Sequence, residues 1–533
     1  MRSQALAVVL ALLWAAEAAA EPARCRLVAP VKVFIAGAWV DVAAGEKLLL
    51  GRRTASFTNV ATARGVGRAA NALLDARCRP LDEQQAASAG ASHQEPSPPS
   101  VAPAAQLDVY RPRPCARGLA DERCMKIQWQ RGRAALDAGD VDGAWAAFAR
   151  LDALSLELRD RRTEAFGAGL RRARLATLRA LPPTPMALES AASDGAPHAA
   201  LRIAAVGDLH LGRGNARPRA VVPPNDGRGF LDDVAPVLRA ADLAFGNLET
   251  SLHDQGESDK CEHSGLPEQC HTFRAPTSFA PTLAAAGFDV LSVENNHATD
   301  FGTRGMLTTT AALHDAGIAP AGAGHVAELS VGGVQVAVVA FAPYQGALDV
   351  RDLELARRAV AWLARTHDVV VVSFHAGAEG PEARHLPKAP EELYGEPRGD
   401  VYAFAHAVVD AGADLVLGHG PHVLRAMERY RGRLIAYSLG NFSSYKTFDV
   451  RGPGGESVIL EAELAADGAL VAARLLPLRL GKDGRPALDD TLAAVSSVRA
   501  LSQEDLGDAL FDAIGRWPAT TDVAANALSA ARP

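Results

Sequence analysis

The chain has 533 residues, of which 48% are hydrophobic and 22% are charged. A chain of this length is too long for one ordinary domain, and its apolar content is sufficient for several hydrophobic cores. The formal net charge of −7 argues against nucleic acid as the main partner, because proteins that bind nucleic acid present a strongly positive surface.

The first 20 residues have the pattern of a secretory signal peptide. Arg2 precedes an apolar run over residues 5–16, and small residues at positions 18–20 provide a cleavage site before Glu21. The alternative, an uncleaved membrane anchor, is disfavoured because the run is shorter than the roughly 20 residues that span a bilayer. We therefore predict removal of residues 1–20 and an extracytoplasmic protein, either periplasmic or secreted.

The cysteines of the chain fit an oxidising compartment, in which disulfides form and persist. There are six of them, and six cysteines allow fifteen pairings. None has the C-x-x-C spacing of a zinc ribbon, and pairing between neighbours along the sequence is the simplest arrangement. The predicted disulfides join Cys25 to Cys78, Cys115 to Cys124, and Cys261 to Cys270.

Two small modules and two linkers are predicted before residue 199. Residues 25–80 contain short apolar runs between glycine turns, which predicts a β-rich domain with an SH3-like fold as one candidate. Residues 81–108 are rich in Ala, Ser, Pro and Gln and indicate a flexible linker. Residues 109–182 are helical in pattern, with a hairpin that resembles one tetratricopeptide unit. Residues 183–198 are a second linker.

From residue 199 to residue 533, short apolar strands alternate with helices. Helices are predicted at residues 278–286, 306–316 and 402–411, and a glycine follows each of them at the position where helices commonly end. This alternation indicates a layered α/β core in which much of the sheet is parallel.

Six of the apolar strands are followed by polar side chains that are able to bind a metal ion. The first strand is predicted to end at Gly207. In open α/β sheets the ligand-binding loops lie at the carboxyl ends of the strands, so we expect these side chains to converge. They are Asp208, His210, Asn247, Glu249, Asn295, Asn296, His297, His375, Glu379, His419, His422 and Asn441. Carboxylates, amides and imidazoles are ligands of divalent ions, and the set predicts a metal site.

The motifs around these residues resemble the signature set of the bacterial CapA-type poly-γ-glutamate capsule synthesis family. In chain order they are Gly207-Asp208, Gly246-Asn247-Leu248-Glu249-Thr250, Asn295-Asn296-His297, His375-x-Gly-x-Glu379, Gly418-His419-Gly420-Pro421-His422-Val423 and Tyr437-Ser438-Leu439-Gly440-Asn441-Phe442. The resemblance runs from about residue 201 to residue 480. That family is similar in fold to the calcineurin-like metallophosphoesterases, which implies a layered β-sandwich core flanked by helices.

The resemblance implies a centre of two divalent ions, with manganese, iron and zinc as candidates. The implied ligands are Asp208, His210 and His422 for the first ion, and Asn296, His375 and His419 for the second. Asn441 would support these ligands without binding an ion. In the last loop the two histidines are three residues apart, whereas the general phosphoesterase pattern spaces them by two, so occupancy of the second ion site is left open. Such a centre polarises a phosphoryl oxygen and lowers the pKa of a bound water.

The resemblance also implies a bridging ligand and an acid–base group. The general phosphoesterase pattern bridges the ions through an Asp where this chain has Asn247, so the bridge is assigned to Glu249, with Asn247 as the alternative. His297 would face the substrate as an acid or as a charge stabiliser. Glu379 would orient His375 rather than bind an ion itself.

Three functions remain open from the sequence. The family resemblance implies a role in synthesis, export or processing of an anionic capsule polymer such as poly-γ-glutamate, with the capsule synthesis and export machinery at the membrane as a candidate partner. The second function is an extracytoplasmic metal-dependent phosphoesterase that is unconnected with capsule. The third is a polymer-binding protein without catalysis. The intact Asp-x-His and Asn-His pairs favour the first two functions.

Overall fold

The structure, a computed structural model, describes residues 122–158, 163–181, 200–214, 221–262 and 270–507, together with the backbone of short strands between residues 24 and 109. The predicted signal peptide, the second linker and the chain after residue 507 lie outside the described residues. Among the helices that are described, none combines the length and the apolar character needed to cross a bilayer.

The N-terminal unit, Met1–Val101, contains a sheet of antiparallel strands. The described strands are β1 (Arg24–Leu27), β2 (Val31–Ile35), β3 (Ala38–Val42), β4 (Lys47–Arg53), β5 (Phe57–Thr62), β6 (Gly65–Ala70) and β7 (Cys78–Pro80), in the order β3-β2-β6-β5-β4-β1-β7. Cys25 and Cys78 lie on the paired strands β1 and β7. Their side chains, like those of Cys115 and Cys124, lie outside the described residues, and both of these disulfides remain predictions.

The second unit, Ala102–Pro533, includes helices ahead of its sheets. Helices α1 (Glu122–Asp137) and α2 (Val141–Leu158) form the predicted hairpin, and α3 (Thr163–Arg179) follows it. Asp140 caps α2, because its side chain accepts a hydrogen bond of 2.9 Å from the backbone N–H of Gly143.

The sequence predicts a separate helical module over residues 109–182. In the structure these helices instead pack against the domain that follows them. Trp145 of α2 packs edge-on against Trp362, with ring centroids 5.4 Å apart, and the indole N–H of Trp362 donates to Asp142 at 2.9 Å. Leu178 of α3 belongs to the same buried core as the sheet beneath. An amphipathic pattern shows that a helix has an apolar face but not what covers it, and here the covering surface is the following domain.

Two sheets form the centre of this unit. The described strands of the first sheet are β9 (Leu201–His210), β10 (Leu243–Leu248), β13 (Val290–Ser292), β14 (Ala319–Ala321), β23 (Asn441–Ser444), β24 (Glu456–Leu464), β25 (Leu470–Leu480) and β26 (Pro486–Leu488). Those of the second are β8 (Asp108–Val109), β15 (Ala327–Val331), β16 (Val334–Phe341), β17 (Val369–His375), β20 (Leu415–His419), β21 (Met427–Tyr430) and β22 (Arg433–Ala436). Strands β9, β10, β13 and β14 are mutually parallel, and so are β16, β17, β20 and β22.

Shorter elements complete the unit. The remaining helices are α4 (Ala235–Ala240), α5 (Ala280–Ala286), α6 (Gly302–Asp315), α7 (Leu353–Ala364), α8 (Val401–Asp410) and α9 (Ala493–Leu506). Two small ribbons pair β11 (Ser251–Leu252) with β12 (Arg274–Ala275), and β18 (Glu391–Leu393) with β19 (Glu396–Gly399). Gly287 and Gly412, which follow α5 and α8, both have φ of 110°, so the predicted glycine stops are confirmed at these helices.

The two sheets pack face to face over one shared core. Alternate side chains of β9 point to opposite faces, as expected for a strand. Ile203 and Ala205 enter the core between the sheets together with Val338 of β16, whereas Ala204 and Val206 contact the helices α4–α6. Helices α2, α3, α7 and α8 cover the outer face of the second sheet. The predicted layered β-sandwich flanked by helices is therefore confirmed.

Candidate metal centre

Parallel strands from both sheets carry the predicted ligands to one edge of the sandwich. β9 continues through Asp208 and His210 instead of ending at Gly207 as predicted, while β17 ends at His375. A Cβ at Gly207 would lie 1.8 Å from the carbonyl oxygen of Gly440. This close approach explains the glycine, and it places the chain of the last motif directly against Asp208.

Asp208 is fully buried, and both of its oxygens have partners. Oδ1 accepts a hydrogen bond of 2.9 Å from the amide of Asn247 and lies 3.1 Å from Nδ1 of His419. Oδ2 lies 3.1 Å from Nδ1 of His422 and accepts a longer bond, 3.4 Å, from the N–H of Gly420. Burial alone would raise the pKa of Asp208, but the bonds from the two histidines hold it well below its usual range.

Glu249 follows β10 directly and is the centre of the cluster. Among the described residues, four imidazoles face its carboxylate. Nε2 of His210 lies 3.0 Å from Oε2, and the Nε2 atoms of His375, His297 and His422 lie 3.6, 3.8 and 3.8 Å from Oε1. Burial raises the pKa of Glu249 to about 8, against the opposing charge of His422. Without a bound cation, this carboxyl group therefore holds a proton at neutral pH.

Two sets of ligand atoms converge on Glu249 in the described part of the chain. One set is Glu249 with His210 and His422, and the other is Glu249 with Asp208 and His375; within each set all the ligand atoms lie within 4.8 Å of one another. The ligands predicted for the first ion are thus divided between two sets that share Glu249.

Several atoms of these sets and of His419, which contacts Asp208, are buried without a hydrogen-bond partner. They include Oε1 of Glu249 and the Nε2 atoms of His375, His419 and His422. Buried polar atoms without partners are costly in free energy, and a cation between them would remove that cost. Carboxylate oxygens together with imidazole nitrogens are the donor set that zinc, iron and manganese accept in proteins. The residues present therefore fit a divalent metal site.

Two of the imidazoles in these sets are neutral, as a metal site requires, and a third is not. Burial lowers the pKa of His210 to about 3 and holds that of His375 well below its ordinary value, so both are neutral. Burial acts on His422 in the same direction, but the surrounding carboxylates, Glu249 foremost, raise its pKa to about 10. A metal binds deprotonated ligands, so His422 and Glu249 must release their protons before they bind one.

His297 is held by Asp300, a residue to which the sequence-based prediction assigned no role. Nδ1 of His297 lies 2.7 Å from Oδ2 of Asp300, and the other oxygen of that carboxylate lies 2.5 Å from Nζ of Lys260. With Nδ1 engaged, Nε2 of His297 faces Glu249. The spacing Asn-His-x-x-Asp was visible in the sequence, and a carboxylate three residues after a candidate acid–base histidine is the signal that would have identified Asp300.

Asn247 presents nitrogen rather than oxygen to the cluster. Its amide Nδ2 donates to Asp208 at 2.9 Å and lies 3.2 Å from Nδ1 of His375. An amide NH₂ group cannot bind a cation. This arrangement disfavours Asn247 as the bridging ligand, and the assignment of the bridge to Glu249 stays a prediction. Asn247 holds Asp208 and His375 in place through these two contacts.

The two asparagines before His297 differ in their contacts. Nδ2 of Asn295 donates to Oδ1 of Asn247 at 3.2 Å, which connects Asn295 to the cluster. The backbone C=O of Asn296 accepts from Lys260 at 2.9 Å, and its Oδ1 is buried without a hydrogen-bond partner. No described contact joins the Asn296 side chain to the cluster, so its assignment as a ligand remains a prediction.

The prediction that Glu379 orients His375 differs from the structure, in which Glu379 contacts Arg398 and His422 instead. Its Oε1 accepts a hydrogen bond of 3.2 Å from Arg398, and its Oε2 lies 3.8 Å from Nε2 of His422. Gly377, with φ of 86°, turns the chain sharply after His375, so Glu379 comes to lie against the other histidine.

Asn441 supports the loop that carries His422. Its side-chain amide donates to the backbone C=O of His422 at 3.0 Å and to that of Gly454 at 3.2 Å. His422 has φ of 59°, a left-handed conformation that is unfavourable for a residue with a Cβ. The hydrogen bond from Asn441 therefore stabilises a strained position at which the His422 imidazole reaches both carboxylates.

A disulfide joins Cys261 and Cys270, with Cα atoms 5.4 Å apart. Phe273 follows shortly after it, and its ring lies 4.1 Å from that of His297. The chain that follows the disulfide thus forms part of the wall of the candidate site.

Known proteins are similar to this chain. The family model described as "Bacterial capsule synthesis protein PGA_cap" matches residues 202–446. A capsule biosynthesis protein CapA from Bacillus anthracis is 30% identical over 263 residues, which cover 45% of this chain and 59% of that protein. A probable polyglutamine synthesis accessory protein from Mycobacterium tuberculosis is 33% identical over 299 residues, which cover 49% of this chain and 72% of that protein. This chain therefore spans less than two thirds of the Bacillus protein.

Among solved structures, the 5′-nucleotidase precursor from Thermus thermophilus is 15% identical in sequence, and the match covers 57% of this chain and 58% of that one. The TM-score is 0.29. A likeness at this level supports no conclusion about fold or function.

Proposed function

The chain belongs to the bacterial capsule synthesis protein family, and from this premise we propose that it processes an anionic polymer such as poly-γ-glutamate at a metal-dependent hydrolytic site. The observation that carries the proposal is the position of Glu249. One buried carboxylate faces four buried imidazoles, and its Oε1 has no hydrogen-bond partner. A buried cluster of this composition is costly unless cations occupy it.

In the proposed site, five side chains of the two ligand sets would hold the ions. They are Asp208, His210, Glu249, His375 and His422. When bound, the ions supply a polarised substrate oxygen and a water of lowered pKa. The amide of Asn247 would hold the side chains of Asp208 and His375 in position. Asn441 would hold the loop of His422 in its strained conformation.

His297 would move the proton of the reaction. Asp300 binds Nδ1 and so directs Nε2 toward the cluster, where it accepts a proton from, or returns one to, the reacting group. Lys260 and the backbone N–H of Phe273 hold the Asp300 carboxylate at 2.5 and 2.7 Å. The proton-transfer group is therefore oriented through Asp300 by Lys260 and by the backbone of Phe273, neither of which is among the proposed metal ligands.

A metal-dependent phosphoesterase unconnected with capsule is the second candidate. The observation that favours it is the donor set itself, because carboxylates and imidazoles around paired metal ions are typical of in-line displacement at phosphorus. Since the two candidates share the site, they differ only in the bond that is cleaved.

We further propose that the reaction takes place outside the cytoplasm. The pattern of residues 1–20 and the disulfide between Cys261 and Cys270 support this location. The proposed partners are the polymer itself and the capsule synthesis and export machinery at the membrane.

The test uses the purified full-length chain with two substrate classes. Oligo-γ-glutamate and a generic phosphodiester are incubated with the protein after loading with manganese, iron or zinc, and again after treatment with a chelator. We expect metal-dependent cleavage of the γ-glutamyl chain. Cleavage of the phosphodiester alone would favour the second candidate, and cleavage of neither substrate under any loading would contradict both.

A further inference from the structure

Arg213 lies between two glycines in a tightly enclosed segment that follows β9. The segment Gly212–Gly214 follows β9, and Arg213 exchanges backbone hydrogen bonds of 3.1 and 2.9 Å with Val221. A Cβ at Gly212 would lie 2.8 Å from the carbonyl oxygen of Arg274, and one at Gly214 would lie 2.7 Å from the Cβ of the same residue. The backbone of Arg213 is therefore fixed, and its side chain alone extends from the segment.

The guanidinium of Arg213 faces an imidazole rather than an acidic group. Its Nη2 lies 3.4 Å from Nδ1 of His271. Among the described residues no carboxylate forms an ion pair with it within 4.0 Å. Burial, together with the charges of Arg213 and Lys260, lowers the pKa of His271. The guanidinium of Arg213 and the imidazole of His271 thus lie together, both partly exposed, and in the described part of the chain no carboxylate is paired with Arg213.

A neighbouring arginine shows the contrast with a structural role. Nη1 of Arg274 donates to the backbone C=O of Gly256 at 2.7 Å, its guanidinium lies 4.8 Å over the ring of Phe301, and the residue is buried. Arg213 has no comparable set of contacts in the described part of the chain. Apart from the contact of Nη2 with His271, no described hydrogen bond or ion pair involves the guanidinium of Arg213, which has five N–H donors.

The disulfide holds His271 in position beside the cluster. His271 follows Cys270, whose partner Cys261 follows Lys260. Lys260 is anchored on the loop of the acid–base histidine through its contact of 2.5 Å with Asp300. The cross-link therefore ties the imidazole that faces Arg213 to the loop that carries His297.

Phe273 connects this pair to the candidate metal ligands. Its ring is parallel to that of His271, with centroids 6.5 Å apart and an interplanar angle of 8°. The same ring lies 4.1 Å from that of His297 and 5.2 Å from that of His210. The ring of Phe273 thus contacts the ring of His271 on one side of the pair and the rings of His297 and His210 in the cluster.

We propose that Arg213 and His271 form an anion subsite that binds a carboxylate or phosphate group of the substrate beside the reacting bond. The inference rests on the proposed function, because it assumes that an anionic substrate is bound at the cluster. A guanidinium binds either group through two parallel N–H···O bonds. In a γ-linked glutamate chain every residue keeps a free α-carboxylate, so such a subsite would set the register in which the chain is bound.

Binding measurements test this subsite without reference to turnover. The full-length chain, Arg213→Gln and His271→Gln are titrated calorimetrically with oligo-γ-glutamate and, separately, with a linear oligophosphate of matched charge. We expect Arg213→Gln to weaken binding about tenfold, the scale of one charge-assisted hydrogen-bonded contact, with a smaller loss for His271→Gln. Arg213→Lys should restore only part of the affinity, because an ammonium group lacks the planar fork.

Arg365→Gln is the matched control. Arg365 is exposed at the end of α7, before the start of β17, and so lies at the opposite end of that strand from His375. This variant makes the same change in charge and should bind both probes as the wild type does. The probe that loses affinity in Arg213→Gln identifies the group bound, a carboxylate or a phosphate.

Three results would overturn the inference. They are unchanged affinity of Arg213→Gln for both probes, an equal loss in Arg365→Gln, and absence of binding by the wild type. Metal content and Tm are measured in parallel, and a loss of metal in Arg213→Gln would also contradict the subsite because it would place Arg213 among the supports of the ions. A protein that binds oligo-γ-glutamate through Arg213 but cleaves nothing would keep the subsite and contradict the proposed hydrolysis.

Discussion

Oε2 of Glu249 lies 3.0 Å from Nε2 of His210, and both side chains are fully buried. Burial raises the pKa of Glu249 to about 8 and lowers that of His210 to about 3. In the absence of a cation, the pair at neutral pH is a protonated carboxyl group beside a neutral imidazole. A divalent ion would take the place of that proton, so metal binding, proton release and stability are linked at this pair.

The first prediction concerns pH and stability of the metal-free protein. The pKa of folded Glu249, about 8, lies above its ordinary value of 4.5, so the folded form holds the proton more tightly than the unfolded form. The contribution of this tighter proton binding to the free energy of unfolding is complete below about pH 4.5 and is lost as the pH rises to about 8. In the presence of a chelator, we therefore expect the Tm of the wild type to fall relative to that of Glu249→Gln as the pH rises through this range. A difference in Tm that does not change with pH would contradict the assignment.

The second prediction separates metal binding from chemistry. Asp208→Asn removes a charge that lies in one of the two ligand sets, and we expect it to lower both metal content and activity. His297→Gln should retain metal near the wild-type amount while slowing turnover by roughly 10²–10⁴-fold, the usual scale of general acid–base assistance. Elemental analysis and rate are measured on the same preparations. Loss of metal in His297→Gln would contradict the assignment of His297 to proton transfer alone. Normal metal content in Asp208→Asn would contradict the assignment of Asp208 as a metal ligand.

The third prediction concerns the pair of His297 and Asp300. Asp300→Asn replaces the carboxylate that binds Nδ1 at 2.7 Å, so the imidazole loses its fixed orientation. We expect a rate loss of roughly 10–100-fold with metal retained, as for other residues that orient a functional group. The double variant with His297→Gln should be no slower than His297→Gln alone, because both changes act on one group. Additive losses would show that Asp300 acts elsewhere.

The fourth prediction concerns the helices before the sandwich. Trp145→Ala removes a buried ring packed against Trp362, and we expect a loss in the free energy of unfolding of about 3–5 kcal/mol. Ile127→Ala in α1 is the control, because Ile127 is 41% exposed and its loss should change stability by about 0.5 kcal/mol or less. Both values come from denaturant titration. Equal small effects would show that the helices are a separate module, as the sequence predicts.

Most of the candidate site was predictable from the sequence because it depends on strand ends. Within each sheet the carboxyl ends of parallel strands meet at one edge, which brings Asp208 of β9 beside Asn247 of β10, and His375 of β17 beside His419 of β20. That both sheets deliver their ligands to the same edge of the sandwich depends on how the sheets pack, which the strand pattern does not determine. Helix ends were predictable for a similar local reason, since Gly287 permits a conformation that other residues avoid.

The parts that were not predictable depend on side-chain direction and tertiary packing. Glu379 turns to His422 because of a local backbone turn, and Asn295 rather than Asn296 contacts Asn247. Neither direction follows from the spacing of residues along the chain. The docking of α2 on the second sheet likewise depends on a surface that lies about 200 residues later in the sequence.

The measurement that tests the account most directly is the metal content of the wild type and of Glu249→Gln, each loaded with manganese, iron or zinc and then freed of unbound metal. His385→Gln is the control, because that imidazole is 61% exposed and pairs with Asp505 away from the cluster. We predict that the wild type and His385→Gln retain divalent metal and that Glu249→Gln retains much less, since it loses the carboxylate that both ligand sets share. A wild type that retains no metal, or a Glu249→Gln protein that retains as much as the wild type, would contradict the central claim.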